Sequence, residues 1–251
     1  MNFKFLRTSL TALCLLVSGL VNVANAGIIV EYNFDGNSLD SSGNGEHLTL
    51  VNGATYGSGY VNGALLLDGL NDYARVNIGN YSLSNFTVEA WVNVNNFESN
   101  VHYVSLFQDS YIVLGDWGTG AVHTWADGLS PISISGVTSP TINDWHHLAF
   151  SFDGTTQRSF LNGVLQNSVL TTGTLTNSAS FNQGLTIGAR YTGSVQYVKG
   201  SIDNVRIHDI ALSVNDLGYY KDTTAVPEPS TLAIFALGII GLASRRFKNK
   251  S

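Results

Sequence analysis

Residues 145–167 read WHHLAFSFDGTTQRSFLNGVLQN. Three short apolar runs are separated here by Asp153-Gly154 and Asn162-Gly163. Asp-Gly and Asn-Gly tolerate the positive φ angles of tight hairpins, so the stretch predicts a three-stranded antiparallel meander. The strands fall at 145–152, 158–161 and 164–166. Working backward, Phe86-Thr87-Val88-Glu89-Ala90-Trp91-Val92 alternates with period two. Phe86, Val88, Ala90 and Val92 share one face, and Thr87, Glu89 and Trp91 share the other. Further strands are predicted at 28–34, 64–67, 73–78, 103–108, 111–114, 122–125, 185–187 and 201–207. More Asn-Gly and Asp-Gly pairs punctuate them, among them Asn52-Gly53, Asn62-Gly63, Asp68-Gly69 and Asp127-Gly128. Only 213–220 reads as helical, with Ser213 as amino cap and Asp216 at the capping-box position. Many short strands with regular turn signals mean an all-β sandwich or barrel, and residues 27–224 form one domain without a linker-like break or internal repeat.

The two ends have a different character. Lys4 and Arg7 precede a mostly apolar run over 10–23, and Ala24-Asn25-Ala26 has the small-x-small form of a cleavage site. Residues 1–26 therefore read as a signal peptide, with an uncleaved anchor as the alternative. The only cysteine, Cys14, lies inside this segment, so the exported domain has no disulfide or thiolate chemistry. At the other end, Ala225-Val226-Pro227-Glu228-Pro229-Ser230 is stiff and extended. An apolar run follows over 232–243, and then come Arg245, Arg246, Lys248 and Lys250. A helix over 230–244 would rise roughly 22 Å, short for a membrane span but workable with snorkelling arginines and a thinned bilayer. The basic end at 245–250 would stay cytoplasmic, with the domain across the inner membrane.

Charge separates the same way. Of 12 Lys and Arg and 18 Asp and Glu in the chain, six basic and seventeen acidic residues fall in 27–226, a net charge of −11 for that span. So acidic a domain repels nucleic acid and anionic lipid and suits neutral glycans or cations.

These residues carry two resemblances. Pro227-Glu228-Pro229, the apolar helix and the basic cluster, in that order, resemble the PEP-CTERM sorting signal of Gram-negative envelope and biofilm bacteria. The resemblance implies recognition by an exosortase-type membrane protease. It also implies transient anchoring, followed by release to the envelope surface or extracellular matrix. The alternative is a plain carboxy-terminal anchor. Within the domain, FDGNSLDSSGNG, GALLLDGLNDYARV, FTVEAWV, WHHLAFSFDG with FLNG, and GSIDNVRIHDIALS follow the order of the LamG-like, concanavalin A-like jelly rolls. That resemblance implies two antiparallel sheets packed face to face as a sandwich. It spans binding modules, adhesion domains and glycoside hydrolases, and so does not by itself choose a function.

Glucanases of such a fold carry two carboxylates on one strand in a Glu-x-Asp-x-x-Glu or similar pattern, and no such pattern occurs here. Glu89 stands alone among Thr87, Trp91 and Asn93 and reads as a structural polar contact. His146 and His147 are adjacent on a strand, point to opposite faces and cannot chelate one ion together. No nucleophile elbow, His-Glu-x-x-His or Walker loop is present. No catalytic residue is therefore assigned.

The stretch 35–44, DGNSLDSSGN, is rich in oxygen ligands and bent by glycine, which suits a hard cation, although the same residues also serve ordinary Asx turns. The LamG-like resemblance implies a structural calcium between this loop and the late strand around Asp203. The candidate ligands are Asp35, Asp40, Asn44 and Asp203. For glycan, the candidate contacts are Tyr111, Trp117, His123 and Trp125, because aromatic rings stack on sugar faces while polar neighbours fix hydroxyls. The expectation is an exported, non-catalytic module that binds extracellular polysaccharide or associates with the matrix. The alternatives are a glycoside hydrolase or lyase with an atypical site, and a purely structural envelope protein.

Overall fold

The computed structural model describes residues 27–78, 83–96, 101–106, 112–116, 121–175, 184–190 and 195–224. The predicted signal peptide and sorting tail lie outside the described residues, as do Tyr111 and Trp117. Among the described residues, no helix is long and apolar enough to cross a membrane.

The strands in chain order are β1 (Ile28–Tyr32), β2 (Thr49–Val51), β3 (Thr55–Ser58), β4 (Gly63–Asp68), β5 (Tyr73–Val76), β6 (Phe86–Val94), β7 (Val101–Leu106), β8 (Ile112–Asp116), β9 (Val122–Ala126), β10 (Leu129–Ser130), β11 (Ser133–Ser135), β12 (His146–Phe152), β13 (Thr156–Leu161), β14 (Val164–Leu170), β15 (Thr172–Gly173), β16 (Leu185–Ile187) and β17 (Lys199–His208). An all-β sandwich of two antiparallel sheets results. The first sheet runs β14-β13-β12-β6-β17-β4-β3, with β1 also paired to β17. The second runs β11-β9-β8-β7-β16-β5-β2. The meander predicted at 145–167 is β12-β13-β14, closed at its second turn by Asn162 and Gly163 at φ 50° and 72°.

Alternation decides what fills the space between the sheets. Phe86, Val88, Ala90 and Val92 of β6 enter one core with Leu148, Phe150 and Phe152 of β12 and with Ile112, Leu114 and Val122 from the opposing sheet. Phe86 meets Phe150 edge-on at 4.9 Å between ring centroids.

β17 has a divided edge. Residues 199–202 pair with β4, whereas 205–208 pair with β1. Between them the pairing with β6 shifts register at Asp203 to Arg206, and Asn204 takes φ 45°.

The predicted helix at 213–220 is reshaped. Val214–Asp216 is a single 3-10 turn and α1 (Gly218–Thr224) follows it. Ser213 makes no side-chain cap to the backbone, and its hydroxyl instead donates to Asp216 at 2.5 Å. Leu217 breaks the run by adopting extended angles, φ −62° and ψ 148°. In that conformation it is fully buried against Ala149 and Phe160, with Leu212 alongside. Burying the leucine outweighs continuing a short helix, because isolated short helices are marginal.

Candidate functional site

Three places carry polar chemistry. The first is the outer face of the first sheet, where cross-strand register sets Phe160, Ala149, Glu89, Arg206 and Glu31 in one row. Glu89 faces away from the core yet is only 1% exposed, because residues 211–224 lie over it as a strap. The Gly218 amide donates to Glu89 Oε2 at 2.8 Å. His147 Nε2 and His208 Nε2 lie 3.3 and 3.4 Å from the two carboxylate oxygens. Burial opposes ionisation of Glu89, but the two imidazoles and the Arg206 charge outweigh it and hold the carboxyl well below its ordinary range.

Arg206 joins the strap to the sheet. Its Nη1 and Nη2 donate to the two oxygens of Asp222 at 3.0 and 2.9 Å, and its Nε donates to Glu31 at 2.8 Å. Trp91 Nε1 adds a bond to Asp222 at 2.8 Å. Trp91 stacks with Tyr60, 3.5 Å away at 11°, and with Tyr219, 5.8 Å away at 28°. Gly218 permits this approach, since a Cβ there would collide with Arg206 Nη1.

Sequence reasoning singled out Glu89 but missed Arg206, Asp222, His208 and Gly218. A signal existed: Glu31, Glu89 and Arg206 are charged residues on three predicted strands, with opposite signs.

The second place is the outer face of the second sheet. Pairing aligns Thr49, Arg75, Thr186, Ser105, Val113, Trp125 and Ser133 across all seven strands. A parallel row holds His102, Gly115, His123 and Ser135. Val122, Thr124 and Ala126 of β9 point inward and are buried, so His123 and Trp125 point out and are half-buried. His123 Nδ1 lies 3.0 Å from Ser135 Oγ. Burial pushes the His123 imidazole down to about 4, which keeps it neutral near pH 7. The indole N–H of Trp125 and the hydroxyl of Ser105 are shielded and have no hydrogen-bond partner among the described residues.

The third place is the gap on the divided edge of β17. Asp35 Oδ1 accepts from the Gly63 amide at 2.9 Å, and Asp203 Oδ2 accepts from the Val61 amide at 3.0 Å. The two carboxylates thus converge on the loop at 59–63. A Cβ on Gly59 would collide with the Gly63 carbonyl and lie 2.8 Å from Asp203 Oδ2, so glycine keeps this cradle open. Burial, with help from the Asp35 charge, pushes Asp203 up to about 7 against hydrogen bonds from Val61, Asn204 and Tyr60.

The other two predicted ligands are committed elsewhere. Asp40 accepts from the Glu31, Ser42 and Glu46 amides and from the Ser42 hydroxyl. Asn44 donates to the carbonyls of Ile28 and Ile29. These bonds pin the loop against β1. Among the described residues, no three His, Cys, Asp or Glu side chains gather as a metal group.

A family model described as the concanavalin A-like lectin/glucanases superfamily matches residues 67–218. A second, the PEP-CTERM protein-sorting motif, matches 225–246. No curated protein matches the chain. Among solved structures, the chain is similar to domain 4 of AbnA, a GH43 extracellular arabinanase from Geobacillus stearothermophilus, solved in complex with arabinotriose. That match has TM-score 0.64 and 23% identity and covers 78% of this chain and 98% of the other. It is also similar to the receptor-binding domain of botulinum neurotoxin C/D mosaic serotype, with TM-score 0.61 and 16% identity over 80% of this chain and 52% of that one. The binding domain of Paraclostridial Mosquitocidal Protein 1 gives TM-score 0.60 at 15% identity, over 78% and 51%. The chain thus spans about half the length of the two toxin domains, and at these identities the likeness is one of fold.

Proposed function

Since the chain belongs to the concanavalin A-like lectin/glucanases superfamily and carries a PEP-CTERM protein-sorting motif, we propose that it is an exported, non-catalytic glycan-binding protein of the cell envelope or matrix. The motif implies processing by an exosortase-type system and export through a membrane-associated route. The observation that carries the binding reading is the ledge of Trp125 and His123 on the second sheet. A half-buried indole on the outer face beside a neutral imidazole suits a sugar ring, whose apolar face stacks on the indole while neighbouring polar groups meet its hydroxyls. The acidic span at 27–226 favours a neutral glycan over an anionic one. The arabinotriose held by the arabinanase domain is a neutral oligosaccharide of the kind this reading expects.

The non-catalytic part rests on Glu89. A glycosidase acid needs its pKa raised and access to the substrate oxygen. Glu89 is lowered instead, both its oxygens are engaged, and the strap seals it from solvent.

A structural calcium is the second part of the proposal. Asp35 and Asp203 would hold it at the glycine cradle, with backbone carbonyls and water completing the shell, as calcium prefers oxygen ligands.

The test is a glycan array probed with residues 27–224. The expected result is binding to a neutral polysaccharide that Trp125→Ala abolishes while the domain still unfolds in one cooperative transition. Turnover of any glycan that disappears in Glu89→Gln would overturn the reading in favour of an enzyme.

A further inference from the structure

The strap at 211–224 makes contacts that the binding proposal does not use. Each runs to a residue far back in the chain. Leu212 N donates to Thr87 Oγ1 across 125 positions, Gly218 N to Glu89 across 129, and Trp91 Nε1 to Asp222 across 131. Arg206, which grips Asp222, is itself held by Glu31 of β1. The seat therefore exists only after β1, β6, β12 and β17 have assembled. Docking of the strap requires those four strands to be in place.

The strap also sets the reach of the chain beyond it. Pro227 is five positions beyond Asp222 and nineteen beyond His208, the last residue of β17. With the strap docked, the chain between the clasp and Pro227 can span at most about 18 Å, and with the strap free the chain between β17 and Pro227 can span up to about 68 Å.

We propose that the strap is a folding-dependent clasp for sorting: docked through Arg206, Asp222, Gly218 and Glu89, it presents the sorting motif beside the finished domain, and processing depends on that presentation. The proposal rests on the sorting reading above. An incomplete domain would offer the same motif on a long, loose tether, so the processing step would discriminate between folded and unfolded cargo.

Two substitutions release the clasp without touching the core between the sheets. Gly218→Ala drives a methyl against Arg206 Nη1, and Asp222→Asn removes the bidentate charge. Hydrogen exchange of the purified domain reads the docking at the Trp91 indole for the first and at the Gly218 amide for the second. About tenfold faster exchange is expected, equivalent to ~1.4 kcal/mol. Melting of the sandwich supplies the folding control. In cells, the fraction of full-length chain processed should fall severalfold for both variants. A twelve-residue Gly/Ser insertion after Thr224 leaves every strap contact intact but lengthens the tether, and it too should lower processing.

Unchanged or increased processing in a chain whose strap is loosened, or in the insertion chain, overturns the proposal. Unchanged exchange in both substitutions overturns the clasp itself. Replacing Pro227, Glu228 and Pro229 together with alanine separates the two levels. If that chain matures like the unaltered one, the sorting reading fails, whatever the strap does.

Discussion

Glu89→Gln is the most informative single perturbation of the folded domain. The side chain keeps its length, so no cavity forms. What changes is the hydrogen-bond inventory: a carboxylate that only accepts becomes an amide with two donors. Three groups point at it, the Gly218 amide and the Nε2 atoms of His147 and His208. With one carboxylate oxygen replaced by an NH2 group, an imidazole on that side keeps a favourable contact only by presenting an unprotonated Nε2, in a place that is 1% exposed. A charge-assisted hydrogen bond contributes about 1.5–3 kcal/mol, and a buried donor left unpaired costs about 1–3 kcal/mol. Removing one partner of a buried ionic cluster costs about 3–5 kcal/mol in total, and the geometry here places Glu89→Gln near the middle of that range. For a domain of this size, that lowers the melting temperature by on the order of 10 °C.

The pH dependence has a definite sign. The folded state holds the Glu89 carboxyl below its ordinary value of 4.5, so the unfolded chain takes up the proton first on acidification. The stabilisation is complete above pH 4.5 and is lost as pH falls below it. Thermal unfolding of residues 27–224 across pH 3 to 7, followed by circular dichroism, measures both effects. Glu89→Gln should be markedly less stable at pH 7, and the gap to the unaltered domain should narrow as pH falls from 4.5 toward 3. A difference below about 1 kcal/mol at pH 7, where exposed substitutions fall, would refute the buried cluster as a source of stability.

Two further predictions concern the other sites. An ion that binds only the folded domain raises stability with the logarithm of its concentration, so excess chelator should lower the melting temperature. Asp203→Asn should remove the chelator's effect, and an equal response in both proteins would reject the calcium site. His123 is held near 4 when folded against 6.5 ordinarily, so its contribution is complete above pH 6.5 and declines as pH falls from there toward 4. His123→Gln should flatten the unfolding curve over that window, and an unaltered slope would show that the imidazole is not buried as described.

The parts of the fold visible in the sequence are those governed by neighbours. The meander at 145–167 needs only alternation and two turn dipeptides, and β12 to β14 follow them closely. The inward set of β6 is legible for the same reason. Its outer set is not: Thr87, Glu89 and Trp91 look like a solvent face, and it is the strap, more than a hundred residues away, together with Tyr60 over Trp91, that covers them. The helix predicted at 213–220 fails at Leu217, whose burial against Ala149 and Phe160 no local pattern reveals. Asp35 and Asp203 converge on one loop, but the chemistry that suggested Asp40 and Asn44 is satisfied locally, by amides and carbonyls within a few residues or on β1. Among the glycan candidates, alternation within β9 places His123 and Trp125 on one face. Tyr111 and Trp117 fall outside the described residues.

The divided edge of β17 has a mechanical meaning. Its second half takes β1 as partner, and the Asp209 amide donates to the Gly27 carbonyl at 2.8 Å, so the chain enters the sandwich beside the end of its last strand. It leaves through α1, whose Asp222 shares one guanidinium with Glu31 of β1. Entrance and exit are therefore stitched to each other by Arg206. Tension applied between residues 27 and 224 would load this seam first and peel β1 and the strap from β17, before strands farther into the sheets were loaded. In a domain wired in this way the two sheets need not part until the seam has opened.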